Sequence, residues 1–283
     1  MKIQKLSDVD FTHIYNFIKP YEKYCVLLYS FVLQKNQAVY VLTGNFGEIH
    51  GIFSWFKKST IHHCLPDIYG KNKQEIETAF IDFFKTENTK YIFCISGEKN
   101  GTEFLKTILQ NNFQKKTSHI IENKLFENGR FDTKMNSFHS NKQITFSKAK
   151  LSEIDEIFLI QKEYEKEEVL ISPYKFNPDV CYANLENFIE ASCLFVGKIK
   201  NKILCKATIS AIGENYVLLG GVYTIPQFRK HGLAKSLILF LWKTMEKSNK
   251  KITLFVKTTN FAAIKLYESC GLKPFCDYEI LYF

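Results

Sequence analysis

The chain has few of the patterns that mark metal-stapled, secreted or membrane-spanning proteins. Its 283 residues include eight cysteines but no Cys-x-x-Cys pair, which argues against a zinc site and predicts buried free thiols in a reducing compartment. The N-terminus lacks the apolar stretch of a signal peptide, and no apolar run approaches the about 20 residues that cross a bilayer. We therefore expect a cytoplasmic protein with no metal and no membrane partner.

Blocks of like charge are also missing, although the formal net charge is +9. Lysines occur in ones and twos, so a solvated surface explains most of this charge, and an anionic partner would account for the rest. No basic block, zinc finger or RNP-type aromatic motif supports nucleic-acid binding, so we predict no nucleic-acid partner. A hydrophobic content of 46% with 24% charged residues is typical of a globular chain with a sizeable core.

Two halves of the sequence have the same predicted order of elements. The second half starts with a strand and two helices, continues with a three-stranded antiparallel meander that ends at Tyr216–Thr224, and closes with a helix, a strand, a helix and two short strands. The first half repeats this order in weaker form, with a strand predicted at Val26–Leu33. The polar segment 127–142 is the predicted linker. We expect an α+β fold of two domains, 1–135 and 136–283, each with a mostly antiparallel sheet flanked by helices.

The segment that follows Tyr216–Thr224 has the order of residues that builds an anion site. Pro226 cannot donate a hydrogen bond, so strand pairing stops there, and Gly232 lets the backbone approach a bulky ligand. A long apolar helix is predicted directly afterwards. Its first N–H groups and the positive end of its dipole, beside Arg229 and Lys230, form a seat for phosphates. The alternative is a basic strand-to-helix turn with no ligand.

A second group of polar residues lies at the next predicted strand-to-helix junction. Asn260 precedes a short helix, and its side chain could serve only as the N-cap of that helix. Tyr267 shares one helical face with Ala263, Leu266 and Cys270, so it could be only a core aromatic. Taken alone, each residue leaves the structural and the functional interpretation open.

Two motifs taken together resemble the GNAT (GCN5-related N-acetyltransferase) family. Arg-x-x-Gly-x-Ala at 229–234 is similar to its acyl-CoA pyrophosphate loop, and Asn-x-x-Ala-x-x-Leu-Tyr-x-x-x-Gly at 260–271 to its last conserved block. The resemblance implies acetyl-CoA as cofactor, a GNAT-like fold for both domains, and a V-shaped cleft between two splayed strands of the second. Lys230 departs from the pattern, since family members often have glycine there, whereas Ala234 is a common variant.

The resemblance also implies roles for individual residues. In the family, the pantetheine arm pairs with the open edge of the strand before the loop, and the loop binds the pyrophosphate. The implied cofactor-binding residues are Val222, Tyr223, Thr224, Arg229, Lys230, His231, Gly232, Leu233, Ala234 and Asn260. Tyr267 is the implied catalytic acid for the leaving thiolate, and a backbone N–H near Val222 is the implied donor to the oxyanion.

The general base and the acceptor stay open. The candidate bases are an ordered water and the acidic end of the second domain's first helix, which carries Glu163, Glu165, Glu167 and Glu168. The resemblance implies direct transfer of acetyl from acetyl-CoA to a primary amine of a small molecule or peptide, and a non-catalytic acyl-CoA sensor or scaffold is the alternative. The first half lacks the loop motif, which indicates a degenerate GNAT-like domain. No pattern indicates an oligomeric state.

Overall fold

The structure is a computed structural model that describes residues 1–57, 59–87, 89–129, 144–171 and 175–283. These residues form twelve strands and eight α-helices, joined by turns and loops. The strands are β1 (Lys2–Lys5), β2 (Val39–Thr43), β3 (Ile49–Phe56), β4 (Thr60–Cys64), β5 (Cys94–Glu98), β6 (His119–Asn128), β7 (Ile144–Lys148), β8 (Leu194–Ile199), β9 (Lys202–Ile212), β10 (Tyr216–Thr224), β11 (Lys251–Lys257) and β12 (Leu272–Tyr282). The helices are α1 (Phe11–Ile18), α2 (Val26–Leu33), α3 (Lys73–Thr86), α4 (Lys99–Phe113), α5 (Ile154–Tyr164), α6 (Pro178–Glu190), α7 (Leu233–Glu246) and α8 (Phe261–Ser269).

All twelve strands belong to one sheet, in the order β1-β2-β3-β4-β5-β12-β6-β11-β10-β9-β8-β7. Neighbouring strands are antiparallel except in the pairs β4–β5 and β10–β11, which are parallel. The sheet is therefore mostly antiparallel, with helices packed on both faces. This confirms the predicted α+β class.

The two halves of the chain exchange their last strands at the centre of this sheet. β6 from the first half lies between β11 and β12, and β12 from the second half lies between β5 and β6. The long antiparallel pair β6–β12 runs from Leu272 opposite Asn128 to Tyr282 opposite His119. The strand order is unchanged when the halves are swapped, so the topology has a pseudo-two-fold axis between β6 and β12. Because each half completes the other's sheet, the two share a continuous backbone hydrogen-bond ladder.

Alternate residues of the strands separate two layers of helices. In β9, Ile203 packs with α5 and α6, whereas Leu204 packs with α7 and α8. In β3, Ile52 packs with α1 and α2, whereas Phe53 packs with α3 and α4. The side chains of a strand alternate between faces, and the pairings carry each face from one strand to the next. One face of the sheet therefore carries α1, α2, α5 and α6, and the other carries α3, α4, α7 and α8.

The structure differs from two predictions made for the first half. The segment Val26–Leu33, predicted as a strand, is helix α2, and this prediction was wrong. The helix is apolar on most sides because it is buried, and an apolar run without polar breaks does not distinguish a buried helix from a buried strand. The predicted linker, 127–142, begins inside β6, which continues to Asn128, and its residues from 130 onward lie outside the described residues.

The turn between β9 and β10 is held by the first half of the chain. The carboxylate of the buried Glu22 accepts hydrogen bonds from the backbone N–H groups of Asn215, at 2.7 Å, and Tyr216, at 2.9 Å. Glu214 of the same turn accepts from the phenol of Tyr29 at 2.9 Å. Glu214 is exposed, and it bridges the two halves. The hydrogen bond between Tyr29 and Glu214 holds α2 beside the start of β10.

Candidate active site

The parallel strands β10 and β11 diverge after a short paired segment. Tyr216 to Leu218 pair with Lys251 to Thr253, and no pairing between the two strands follows in the described residues. The second half of β10 therefore leaves one edge unpaired. This is the splayed strand pair that the fold prediction included, and it opens a cleft between the ends of the two strands.

A β-bulge deforms β10 where it faces this cleft. Gly220 pairs with Thr208 of β9 and Tyr223 pairs with Lys206, so two residues of β10 lie opposite one residue of β9. Gly221 adopts φ +56°, in the left-handed region that favours glycine. Bulges of this kind turn backbone groups out of the regular ladder, and they are frequent beside active sites.

Lys206 fixes the conformation of the bulge from inside the core. Its side chain is fully buried, its Nζ donates a hydrogen bond to the carbonyl oxygen of Gly221 at 2.8 Å, and the same atom lies 4.5 Å from the ring centre of Tyr164. Burial lowers the pKa of Lys206 to about 7, partly offset by the nearby Glu165 carboxylate. Lys206 was not among the predicted site residues, although a lysine inside the apolar run of β9 is an unusual signal.

The loop after β10 has the geometry of an anion seat. A 3-10 turn at Pro226–Phe228 is followed by two left-handed residues, Lys230 at φ +64° and Gly232 at φ +76°. Gly232 is the N-cap of α7, and no side chain caps that helix, so its first N–H groups stay available. The left-handed φ of Lys230 explains why glycine suits this position, since a side chain there costs about 1 kcal/mol.

Arg229 is held against the end of α5. Its Nη2 lies 2.7 Å from a carboxylate oxygen of Glu167, and its Nε donates to the carbonyl oxygen of Thr224 at 3.0 Å. The phenol of Tyr223 donates to the other oxygen of Glu167 at 2.7 Å. The bonds from Arg229 and Tyr223 lower the pKa of the Glu167 carboxyl. A phosphate approaching Arg229 would therefore share the guanidinium with a carboxylate. The side chain of His231 points back to the carbonyl oxygen of Arg229, at 2.8 Å.

Asn260 and Tyr267 lie at the other wall of the cleft. The Oδ1 atom of Asn260 accepts the backbone N–H of Ala263 at 3.0 Å, so this residue does cap α8, and its Nδ2 faces Glu168 at 3.4 Å. Tyr267 is buried, with its ring 6.3 Å from that of Phe126. Burial is the main cause that raises the pKa of Tyr267, so its phenol stays protonated at neutral pH.

One cavity of about 960 Å³ brings most of the predicted residues together. The predicted residues that line it are Val222, Tyr223, Thr224, Arg229, Lys230, Gly232, Leu233, Ala234, Asn260 and Tyr267. His231 is the one predicted cofactor-binding residue outside the lining. The cavity extends past the cleft to the first half of the chain, where the segment Lys23–Leu28 forms part of its wall. Sequence reasoning missed this wall because the two segments are far apart along the chain.

The four glutamates at the end of α5 have different surroundings. Glu168 is the one that lines the cavity, and its carboxylate lies 3.7 Å from the Nζ of Lys257. The other three are engaged elsewhere: Glu163 with Lys166, Glu165 with Gln161, and Glu167 with Arg229 and Tyr223. A π-helical turn at Glu165–Val169 ends the helix and directs Glu168 toward the cavity.

Comparisons with known proteins agree with this geometry. The model of the acetyltransferase (GNAT) family matches residues 154–272. A GNAT-family acetyltransferase from Colwellia psychrerythraea superposes with a TM-score of 0.60 and 13% identity over 100% of this chain and 99% of that chain. The chain contains a GNAT acetyltransferase domain. No curated protein matches the chain.

Two further structures share the fold of this chain. A GCN5-related N-acetyltransferase from Sphaerobacter thermophilus has a TM-score of 0.51 and 10% identity, covering 93% of this chain and 92% of that one. The glucosamine N-acetyltransferase region of a fungal multi-domain β-N-acetylglucosaminidase has a TM-score of 0.53 and 14% identity, over 99% of this chain and 38% of that one. At these identities the likeness shows the fold alone, and it extends to the first half of the chain.

Membrane-spanning helices and metal-ligand clusters are both absent from the described residues. No described helix is both long enough and apolar enough to cross a membrane. The described histidine, cysteine, aspartate and glutamate side chains form no group of three or more that could hold a metal ion.

Proposed function

We propose that the chain is an acyl-CoA-dependent N-acyltransferase that transfers acetyl from acetyl-CoA to a primary amine by direct attack. One observation carries this proposal: a single cavity is lined by the first turn of α7, the bulged edge of β10 and Tyr267. These supply an anion seat, a row of backbone donors and acceptors, and a proton donor. Acyl transfer from a coenzyme A thioester uses all three.

The residues of the cleft fit an acyl-CoA. The N–H groups from Gly232 to Ala234, with the side chains of Arg229 and Lys230, would hold the pyrophosphate. Thr224 supports the placement of the pantetheine arm, because its Oγ1 is buried and has no hydrogen-bond partner among the described residues. Leaving a buried hydroxyl unsatisfied costs about 1–3 kcal/mol, and the amide groups of the arm could satisfy it.

The backbone of β10 and the side chain of Asn260 complete the binding of the arm in this proposal. The unpaired edge at Val222 and Tyr223 offers N–H and C=O groups to the two amides of pantetheine. Asn260 uses its Oδ1 as the helix cap, so its Nδ2 would serve the arm in place of the long contact with Glu168. Leu233 supports the loop from the core, where its side chain is buried. The bound group would supply the thioester whose acyl carbon the amine attacks.

Lys206 would position the donor for the developing negative charge. Its hydrogen bond holds the carbonyl of Gly221 toward the core. In a trans peptide the C=O and the following N–H point in opposite directions, so the N–H of Val222 is directed to the other side, where Val222 lines the cavity. That N–H would donate to the acyl oxygen as its charge develops. Both the ammonium and the neutral amine of Lys206 can hold the carbonyl.

Tyr267 and Glu168 would handle the proton transfers. The raised pKa of the Tyr267 phenol keeps it protonated, so it can give its proton to the leaving thiolate sulfur, and the second proton of the attacking nitrogen, released as the amide forms, would restore the phenol. Glu168, the only one of the four candidate glutamates that lines the cavity, would take the proton of the incoming ammonium, directly or through water. Free alkylamines have a pKa of about 10.4, so this deprotonation is needed at neutral pH.

The first half would act as a structural partner of the catalytic half. We propose domains at 1–135 and 136–283, each of them completed by the other's last strand. The first would contribute β6 and the wall at Lys23–Leu28, and it would bind no second coenzyme. All eight cysteines are free thiols, which agrees with the cytoplasmic location that we propose.

Two measurements on the wild-type protein test this function. Calorimetry should show binding of acetyl-CoA, and a thiol-release assay with acetyl-CoA and a panel of amines should show amine-dependent release of CoA. Binding without release from any amine, peptides included, would contradict the enzyme and support an acyl-CoA sensor. Absence of binding would contradict both.

A further inference from the structure

The cavity continues from the cleft across the open centre of the sheet. This extension, here called the trough, lies on the face that carries α1, α2, α5 and α6. Its floor comprises His62, Ser96, Ile121, Phe255, Tyr278 and Ile280. Ile121 is paired with Ile280, which is paired with Ser96, which is paired with His62, so these residues form one row across β6, β12, β5 and β4. The strand exchange places them side by side.

The two walls of the trough come from different halves of the chain. One wall is the start of α2, where Val26, Leu27 and Leu28 face the cavity. The other wall is the end of α5, where Glu168 and Val169 face it. Because Glu168 also lies at the cleft, the trough leads directly to the point at which the thioester would sit.

The floor of the trough is aromatic and aliphatic. Phe255 stacks on Tyr278 with ring centres 5.0 Å apart and an interplanar angle of 8°. The hydroxyl of Tyr278 is hydrogen-bonded to that of Ser96 at 2.7 Å, so each of these buried hydroxyls already has a hydrogen-bond partner. Ile121 and Ile280 fill the middle of the floor. Such a surface favours a flat or aliphatic group over a hydrated one.

The titratable groups of the trough are neutral or already paired. Burial lowers the pKa of His62 to about 4, so its ring is uncharged at neutral pH, and burial raises the pKa of the Cys94 thiol. At the rim, the Nζ of Lys23 lies 2.9 Å from Glu127. A multiply charged acceptor would find no opposite charge along this floor, and desolvating its charges would be costly.

We infer that the trough is an acceptor subsite for a primary amine carried on an uncharged aromatic or aliphatic body. The body lies on Phe255, Tyr278 and Ile121, and the amine reaches Glu168 at the cleft. This inference rests on the proposed function, because it names the acceptor class of the same reaction. It excludes polycationic acceptors such as aminoglycosides.

The wild-type protein tests the class of acceptor first. We expect kcat/KM for 2-phenylethylamine or hexylamine to exceed that for putrescine or kanamycin by at least about tenfold, the discrimination that a few apolar contacts provide. A preference for the polycations would overturn the inference while leaving the acyltransferase proposal intact. Calorimetric titration of the same amines into the protein saturated with CoA gives the same comparison without turnover, so it remains decisive even if no thiol is released.

A matched pair of variants then tests the location. Ile121→Trp places a bulky ring on the floor of the trough, whereas Ile120→Trp places the same ring one residue earlier, on the opposite face of β6. We expect Ile121→Trp to weaken binding of 2-phenylethylamine by at least about tenfold. Ile120→Trp should not change it, and acetyl-CoA binding should be unchanged in both. Equal effects of the two variants, or none, would overturn the assignment.

A second variant guards against loss of folding in the first. Phe255→Leu removes the aromatic stack at a partly exposed position, so the fold should survive. We expect weaker binding of 2-phenylethylamine with little change for hexylamine, because only the aromatic amine loses a stacking partner. Unchanged binding of both amines would count against the trough.

Discussion

The two halves build the same crossover connection, and only the second gives it the features of a coenzyme site. In the first half the chain leaves β4 at Pro66 and enters α3 at Lys73; in the second it leaves β10 at Pro226 and enters α7 at Leu233. The spacing from proline to helix is identical, and α3 and α7 have 14 residues each. The proposed difference in function therefore does not come from the topology.

The backbone of the two loops differs at two matched positions. Gly70 stands where the second half has Lys230, with φ −82° against +64°, and Asn72 stands where it has Gly232, with φ −89° against +76°. Left-handed residues turn successive N–H groups toward one side, which is what an anion needs. The first loop lacks that turn and has a tyrosine, Tyr69, in the place of Arg229.

The second junctions differ in the same sense. Glu98 caps α4 through the N–H of Gly101, as Asn260 caps α8 through Ala263. Seven residues after each cap, the first half has the buried Leu105 and the second has Tyr267. In the first half, the ring of His63 also packs directly against Gly97. A Cβ atom at position 97 would lie only 2.2 Å from this ring. The first half therefore lacks a phenol at the position that matches Tyr267, and the space beside Gly97 is occupied by His63, which agrees with the structural role proposed for this half.

The largest expected effect comes from the phenol that only the second half has. Tyr267→Phe should lower kcat for thiol release by about 100-fold or more, since general acid catalysis contributes about 10²–10⁴-fold. The dissociation constant for acetyl-CoA should stay within about twofold because one hydroxyl is lost at the cavity wall. Steady-state kinetics and calorimetry measure the two quantities. Tyr69→Phe, on the exposed loop of the first half, is the control, and equal rates for wild type and Tyr267→Phe would remove the phenol from the mechanism.

The second effect concerns the left-handed cap. Gly232→Val forces a β-branched residue toward φ +76°, which costs about 1–2 kcal/mol and moves the N–H groups of α7. We expect acetyl-CoA to bind at least about tenfold more weakly, measured by calorimetry. The matched change Asn72→Val lies at φ −89° and should leave binding unchanged. If both variants bind alike, the backbone difference between the loops is not what separates the halves.

The third effect tests the buried lysine of the bulge. Lys206→Met keeps the length of the side chain but removes the hydrogen bond to Gly221. We expect kcat to fall by about tenfold to 100-fold, because the N–H of Val222 would be misaligned but not removed as a donor to the oxyanion. The KM for acetyl-CoA should be nearly unchanged. A parallel loss of coenzyme affinity would assign Lys206 a purely structural role.

The same variant has a pH signature. Because burial holds the pKa of Lys206 near 7 in the folded chain, below the about 10.4 of an unfolded lysine, the unfolded state binds more protons between these values. Its contribution to the free energy of unfolding therefore rises with pH from about 7 to about 10. Urea titrations should show wild type gaining stability relative to Lys206→Met over this window. A constant difference would mean that Lys206 titrates normally.

The smallest effect concerns the carboxylate that competes for Arg229. Glu167→Gln weakens its pairing with a half-exposed guanidinium, an interaction worth about 0–1 kcal/mol. Acetyl-CoA should bind up to about fivefold more tightly, because the phosphate no longer shares the guanidinium with a carboxylate. Glu163→Gln, whose carboxylate pairs with Lys166, is the control. Weaker binding in Glu167→Gln would show that the ion pair preorganises Arg229.

Local features of the site could be predicted from the sequence, and distant ones could not. Pro226, Gly232 and the cap at Asn260 act through residues next to them, so their order along the chain carries the information. The exchange of β6 and β12 depends on pairing between segments that are far apart along the chain, so no local sequence pattern predicts it. The trough and the wall at Lys23–Leu28 follow from that exchange, so they were missed as well. The bulge also depends on a partner on another strand, Lys206 on β9.

Calorimetric titration of acetyl-CoA into the wild-type protein and into Gly232→Val tests most directly whether only the second half binds the coenzyme. The comparison of the two loops predicts one site per chain in the wild type and at least about tenfold weaker binding at that site in the variant. Two sites per chain, or one site that Gly232→Val leaves intact, would contradict it.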